Sequence, residues 1–314
     1  MSVIEQAAKR LAELQRAGAE IGDAETKPAR ADTQATPEAL IHAIENRGPQ
    51  RPRAHERREA PASSVAGEHS ARHIDIDFPA LKQRGYITPD APKSQIADEF
   101  RVLKRPIIRN ALGQGGVRVR NGNLIMVTSA LPGEGKTFTS VNLALSMAME
   151  VDSTVLLVDG DVAHPNLPAL LGSPHAPGLL DLLTRDDISF TDALVRTNIE
   201  KLAILPAGSR HRRSTELLAS EQMAGLLREL ASRYSDRIIV FDSPPLLPTT
   251  EARVLASHMG QILMVVAADA TSQHAVTQAL ATIESCETVL MALNKASRTD
   301  VGTYYGYYGD NDAP

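Results

Sequence analysis

The chain has 314 residues, 43% of them hydrophobic and 23% charged, an ordinary composition for one large globular domain plus an extension. A formal net charge of -5 excludes the strongly basic profile of a dedicated nucleic-acid binder. A single cysteine, Cys286, excludes a disulfide framework or a cysteine metal site and fits a reducing compartment, where it serves as a small apolar residue.

Residues 2–17 carry helical periodicity. Val3, Ile4, Ala7, Ala8, Leu11 and Leu14 form one apolar stripe with charges opposite. Such a helix either docks on its own domain or binds a partner or membrane surface. Glu5, Lys9, Arg10 and Glu13 interrupt the apolar positions, so the segment is not a signal peptide. Residues 18–73 are rich in Ala, Pro, Glu, Arg and Gly and read as a disordered linker, because they bury too little apolar surface to offset the entropy of ordering. Arg47, Arg51, Arg53, Arg57 and Arg58 make the linker locally basic, either as a solvated run or as an attraction to anionic headgroups.

Apolar density rises from residue 74, and 74–295 reads as one domain. A helix is expected over 96–109, with Pro106 kinking it or setting its end. Strands are then expected at 124–129, 155–158, 202–205, 237–241, 262–267 and 289–293. Helices are expected at 137–150, in short pieces across 166–194, and at 215–233, 249–257 and 273–285. Apolar strands alternating with helices imply an α/β fold, a doubly wound, mostly parallel sheet covered on both faces. Ligands of such sheets bind at the carboxyl ends of the strands. The longest apolar runs, such as 262–268, are strand-length and far short of the ~20 residues a bilayer needs. Residues 296–314 are Gly-, Asp- and Tyr-rich and read as a flexible tail.

The run Ala130-Leu131-Pro132-Gly133-Glu134-Gly135-Lys136-Thr137 follows an apolar strand and opens a helix. That is a phosphate loop of the Walker A type, with Ala in place of the first Gly. Gly133 and Gly135 let backbone N–H groups face inward, and the helix presents its positive end to the phosphates. Lys136 is placed to reach the β- and γ-phosphates and the Thr137 hydroxyl to ligate Mg²⁺. Pro132, Glu134 and Phe138 complete the expected nucleotide contacts, and Asn294 and Lys295, just after the last strand, are the candidates for the adenine.

A phosphate loop needs a carboxylate at a neighbouring strand end. Ile238-Ile239-Val240-Phe241-Asp242 is an apolar run ending in Asp, a Walker B pattern, with Asp242 expected to serve Mg²⁺. Val155-Leu156-Leu157-Val158-Asp159-Gly160-Asp161 is a second run, with two acids pointing the same way if extended. One can serve the metal while the other accepts a proton.

Four of the six tyrosines sit together in the tail: Tyr304, Tyr305, Tyr307 and Tyr308. They form either an aromatic patch that packs on a neighbour or, beside a phosphate loop, a set of phosphoryl acceptors. A phenol with pKa ~10 needs a base as it attacks, and Asp159 is the candidate. The ten residues from Asn294 to Tyr304 reach about 33 Å at ~3.3 Å each, which allows reaction in cis or in trans.

Taken together, ALPGEGKT, VLLVDGD, IIVFDSPP and YYGYY resemble the bacterial tyrosine kinases (BY-kinases) of exopolysaccharide synthesis and export, over about residues 74–314. The opening MSVIEQAAKRLAEL and the stretch EFRVLKRP resemble the exosortase-associated branch of that family. The resemblance implies a P-loop protein-tyrosine autokinase that uses ATP and Mg²⁺. Asp159 would activate the tyrosine, Asp161 and Asp242 would serve the metal with Thr137, and Tyr304, Tyr305, Tyr307 and Tyr308 would be the autophosphorylation sites. The family's helical Glu-x-x-Arg-x-x-Arg ring-assembly motif matches Asp98, Arg101 and Lys104, and Lys lacks the planar fork of Arg. Where family members often carry Arg after the acidic pair, this chain has Val162-Ala163-His164-Pro165. The resemblance also implies a homo-oligomeric ring, a membrane activator of the chain-length-determinant type, a tyrosine phosphatase, and a cytoplasmic location held at the inner membrane through a partner. Two other readings fit the nucleotide loop: a partitioning or positioning ATPase of the same superfamily, and a nucleotide-dependent scaffold with little catalysis. The first would use a second lysine early in the loop, where Leu131 stands.

Overall fold

The computed structural model describes residues 72–297, apart from residues 92, 115, 117, 173–175 and 234–236. The chain divides after Val65 into two units, and all the strands and helices that follow belong to the second. The N-terminal amphipathic stretch, nearly all of the linker and the tyrosine tail lie outside the described residues.

Eight strands among the described residues make one sheet: β1 (Arg72–Ile74), β2 (Leu124–Ser129), β3 (Thr154–Asp159), β4 (Val195–Thr197), β5 (Leu202–Leu205), β6 (Arg237–Asp242), β7 (Gln261–Ala267) and β8 (Val289–Asn294). Their order is β1-β4-β5-β3-β6-β2-β7-β8. All neighbouring pairs are parallel except β4 with β5, which is antiparallel. Every residue of β2 and β7 is buried, as strands covered on both faces require. The side chains of β2 alternate. Leu124 and Met126 join Leu156, Val158, Phe241 and Met264 in one core cluster, while Ile125 and Val127 join Leu157, Val240 and Leu263 in the other.

On the second face lie α1 (Phe78–Gln83), α2 (Gln95–Ala111) and α3 (Lys136–Ala148), which bring Leu81, Phe100, Ile107, Val141 and Leu145 to the core. Three short helices, α4 (Leu167–Leu171), α5 (Leu179–Thr184) and α6 (Phe190–Ala193), fill the crossover from β3 to β4. The first face is covered by α7 (Ser214–Leu218), α8 (Glu221–Arg233), α9 (Thr250–Ala256) and α10 (Gln273–Ala281), through residues such as Leu218, Leu227, Leu255 and Ala279.

Three features differ from the sequence expectation. First, α2 does not end or break at Pro106 but runs on to Ala111. Proline removes the N–H that would bond the Val102 carbonyl, and Val102 is 58% exposed, so that turn faces water while Phe100 and Ile107 hold the opposite face on the core. Second, β1, α1 and β4 carry no legible periodicity because each is only three to six residues long. The chain after β1 is held by a side chain imitating a strand: Ile76 N–H donates to Asn198 Oδ1 (3.0 Å) and Asn198 Nδ2 donates back to the Ile76 carbonyl (3.2 Å). Third, the expected helix over 215–233 is two helices, and Ser220 caps the second by accepting from Met223 N–H (3.2 Å).

Candidate active site

Strand β2 ends at Ser129 and α3 begins at Lys136, so residues 130–135 form the loop at the carboxyl edge of the central strand. Gly133 (φ +81°) and Gly135 (φ +97°) take the left-handed conformation that turns successive N–H groups inward. A Cβ on Gly135 would lie 2.0 Å from Asn294 Nδ2, so close approach as well as backbone angle demands glycine there.

The outer side of the loop is tied down. The Glu134 side chain is 3% exposed and turned away from the phosphate cradle. It accepts from Leu131 N–H (2.6 Å), Ala267 N–H (3.4 Å) and the Thr271 hydroxyl. Asn294 Nδ2 donates to the Glu134 carbonyl (2.9 Å) and Lys295 Nζ donates to the Gly133 carbonyl (2.7 Å). Asn294 and Lys295, expected at the adenine, thus have their polar ends on the loop, and the structure gives Glu134 a positioning place rather than a side-chain contact with phosphate. The stretch after β6 closes the base: Leu246 and Leu247 N–H donate to the Ser129 and Ala130 carbonyls (2.8 and 3.2 Å).

The three acids meet beneath the loop. Parallel pairing of β3 with β6 sets Asp159 opposite Asp242 in register, at the carboxyl ends of both strands. Both are fully buried. Asp159 Oδ2 accepts from Leu167 N–H (3.2 Å), while its Oδ1 and both oxygens of Asp242 lack a hydrogen-bond partner of ordinary geometry among the described residues. Burial, and then the Asp242 charge, push the Asp159 carboxyl up to about 8. Burial likewise raises Asp242, to about 6, against the pull of Lys136 and of the neighbouring Thr137 and Ser140 hydroxyls. The Ser140 hydroxyl itself donates to the Thr137 carbonyl (3.0 Å), so it does not discharge the Asp242 oxygens. Asp161 lies past Gly160, outside the strand, and its Oδ2 is 3.2 Å from Lys136 Nζ, with both side chains largely buried.

Residues 122–296, more than half of the chain, match the family described as AAA domain. Tyrosine-protein kinase YwqD of Bacillus subtilis (strain 168) is 28% identical over 231 residues, covering 73% of this chain and 93% of that protein. Putative tyrosine-protein kinase CapB of Staphylococcus aureus is 29% identical over 237 residues, covering 73% and 99%. Among solved structures, the chimerical protein CapA2B2 is 27% identical with a TM-score of 0.58, covering 72% of this chain and 93% of that one. The chain belongs to the bacterial tyrosine kinase (BY-kinase) family.

In this BY-kinase two further expected positions are placed elsewhere. The Phe138 ring packs on Tyr86 (centroids 5.1 Å apart) within the apolar cluster under α3, so its side chain belongs to the core rather than to a nucleotide pocket. No motif in the sequence singles out Tyr86, yet its phenol is raised by burial and then by the field of Asp242, which places it near the acids. Of the three ring-assembly positions, Asp98 and Arg101 pair with each other on the outer side of α2. Lys104 is 5% exposed and turned inward, donating to the Ser146 carbonyl (2.6 Å) and pairing with Glu150 Oε1 (2.6 Å). That contact ties α2 to the far end of α3 within one protomer.

Nucleotide and Mg²⁺ fit these residues. The cradle is shaped by left-handed glycines, and the unpartnered buried oxygens of Asp242 beside the Thr137 hydroxyl are hard-oxygen donors. Among the described residues no group of three or more His, Cys, Asp or Glu side chains forms a metal cage. A cation here would therefore share its shell with nucleotide phosphates and water, as Mg²⁺ does.

Proposed function

We propose that this BY-kinase transfers the γ-phosphoryl of ATP to Tyr304, Tyr305, Tyr307 and Tyr308 of its own tail. The observation that carries the reading is the in-register pair Asp159–Asp242, buried beneath the phosphate loop with oxygens left unpartnered. A site meant only to grip nucleotide needs one such carboxylate; the second provides a proton acceptor.

The geometry supports these roles for the chain's own residues. Inward N–H groups of the loop and the start of α3 bind the phosphates, and Glu134 keeps its charge away from them. Lys136, here paired with Asp161, would reach the β- and γ-phosphates, and Asp161 would serve the metal. Thr137 and Asp242 would hold Mg²⁺, whose charge neutralises the carboxylates and the developing phosphoryl charge. Burial raises the Asp159 carboxyl to about 8, so its carboxylate form is a stronger proton acceptor than an ordinary Asp. Its carboxylate then takes the phenol proton as the tyrosine oxygen attacks.

The rest of the reading builds on the family resemblance. Copies assemble into a ring, using Asp98 and Arg101 on the exposed side of α2. A membrane chain-length-determinant-type protein activates the kinase at the inner membrane, a tyrosine phosphatase reverses it, and the cycle regulates exopolysaccharide synthesis or export. The assignment to the exosortase-associated branch rests on the sequence stretches MSVIEQAAKRLAEL and EFRVLKRP. No helix among the described residues is long and apolar enough to cross a membrane, consistent with attachment through a partner. Each phosphate adds about -1.5 to -2 charge, so a filled tail repels its neighbours and favours disassembly. Incubation with Mg-[γ-³²P]ATP separates the readings: label on tyrosine supports the kinase, free phosphate alone means an ATPase, and neither means a scaffold.

A further inference from the structure

A basic loop follows β5, the strand that pairs with β3. Strand β5 lies beside β3 with Leu205 opposite Val158, so the chain leaves the sheet at Pro206, level with Asp159. Residues 209–213 then read Ser-Arg-His-Arg-Arg, all exposed. The loop is anchored at both ends. Leu179 and Leu180 N–H donate to the Pro206 and Ala207 carbonyls (2.8 and 3.0 Å). Buried Asp181 accepts from Gly178 N–H and Ser209 N–H (both 2.9 Å). A Cβ on Gly208 (φ +85°) would lie 2.3 Å from Asp181 Oδ2, so the turn closes tightly on that carboxylate. Past the loop, Thr215 donates to Glu251 Oε1 (2.7 Å), fixing α7 to α9. Arg210, Arg212 and Arg213 form no ion pair with any carboxylate among the described residues. A held loop that presents three unneutralised guanidinium groups, on the stretch that leaves the sheet level with Asp159, is suited to an anionic segment arriving there.

The chain supplies such a segment. Residues 298–314 contain Asp300, Asp310 and Asp312 against one cation, Arg298, a net charge of 1 - 3 = -2, and past Tyr304 there are two acids and no base. With Tyr308 at Asp159, Asp310 and Asp312 fall two to four residues beyond it, about 7–13 Å when extended. One strand spacing of about 4.8 Å plus the rise of a loop is the same scale. We propose that Arg210, Arg212 and Arg213 form the receptor for the acidic end of the tyrosine tail, steering it to Asp159 and setting preference for acceptor tyrosines followed by acids. This rests on the kinase reading for the identity of the site, and on the charge and placement of the loop for the receptor.

The test is fluorescence anisotropy of a dye-labelled peptide of residues 298–314 titrated with the full chain at low salt. In the triple variant R210E/R212E/R213E the peptide is expected to bind about tenfold more weakly or worse, the scale of several reversed surface pairs, and added salt should erase the difference. The triple Lys variant is expected to stay within about threefold of wild type, and the D310N/D312N peptide to lose most of its affinity for wild type while being indifferent to the triple Glu change. Nucleotide binding by each variant checks the fold. In initial-rate assays the peptide KM should rise while kcat holds. Unchanged peptide affinity in the triple Glu variant overturns the receptor, as does equal binding of acidic and neutral peptides. So does loss of binding to phosphatidylglycerol vesicles with peptide binding retained, which would assign the loop to lipid. Peptide binding needs no phosphoryl transfer, so charge-dependent binding without tyrosine labelling would sink the kinase reading and leave the receptor standing.

Discussion

Replacing Asp242 by Asn should make the nucleotide-free protein more stable while abolishing phosphoryl transfer. Asp242 is fully buried, and burial lifts its carboxyl from 3.8 to about 6. A folded-state pKa raised above the unfolded value means that the folded chain holds the proton more tightly. The stability this group contributes is therefore fully present below about pH 4 and is lost as the pH rises through about 6. At pH 8 the whole of that contribution is lost, on the order of 3 kcal/mol, and at pH 4.5 about 1 kcal/mol is lost. Asn is close in shape to the protonated acid and carries no charge at either pH. For a domain of this size ~3 kcal/mol moves the melting midpoint by roughly 6–12 °C. Thermal melts of metal- and nucleotide-free wild type and D242N should thus differ by that much at pH 8 and draw together toward pH 4.5. Mg-ATP should stabilise wild type more than the variant. If the two proteins melt together at pH 8, or if the gap persists undiminished at pH 4.5, the electrostatic account of the acid pair is wrong.

Four further outcomes are expected. Gly135→Ala places a Cβ 2.0 Å from Asn294 Nδ2 at φ +97°, a cost of at least ~1–2 kcal/mol, and should weaken nucleotide binding by more than about tenfold in calorimetric titration. Glu134→Ala removes the acceptor for Leu131 N–H, Ala267 N–H and the Thr271 hydroxyl, and should lower stability by about 2–4 kcal/mol in urea melts and weaken nucleotide binding without touching a phosphate directly. Lys104→Ala should cost about 1–3 kcal/mol of stability, because its ammonium bridges α2 to α3, and should leave the association state measured by sedimentation unchanged at matched folded fraction. Arg101→Ala should show the opposite pattern.

The strand-and-helix skeleton was legible because apolar runs and the Gly-rich turn are local signals: β2 and β5 begin and end where the sequence places them. The acid pair was legible as strand ends, but its register came only from the parallel pairing of β3 with β6. What stayed hidden depends on contacts across long separations. Asn294 and Glu134 are 160 residues apart, and Lys104 meets Glu150 only because α2 lies along α3. One hidden role did carry a signal. A carboxylate between two loop glycines would repel phosphate unless turned away, so Glu134 marks itself as a strut. Pro106 does not end its helix because the freed carbonyl lies on the side of α2 that faces water.

The central claim is that the buried pair under the phosphate loop activates the tail's phenols. Mass-spectrometric mapping of phosphotyrosine on the full chain, after incubation with Mg-ATP, tests it most directly when wild type, K136M and D159N are run side by side. Wild type should carry phosphate among Tyr304, Tyr305, Tyr307 and Tyr308, and both variants should carry almost none, with D159N still binding nucleotide. A wild-type tail that stays unmodified, or a D159N tail modified as fast as wild type, would contradict the account.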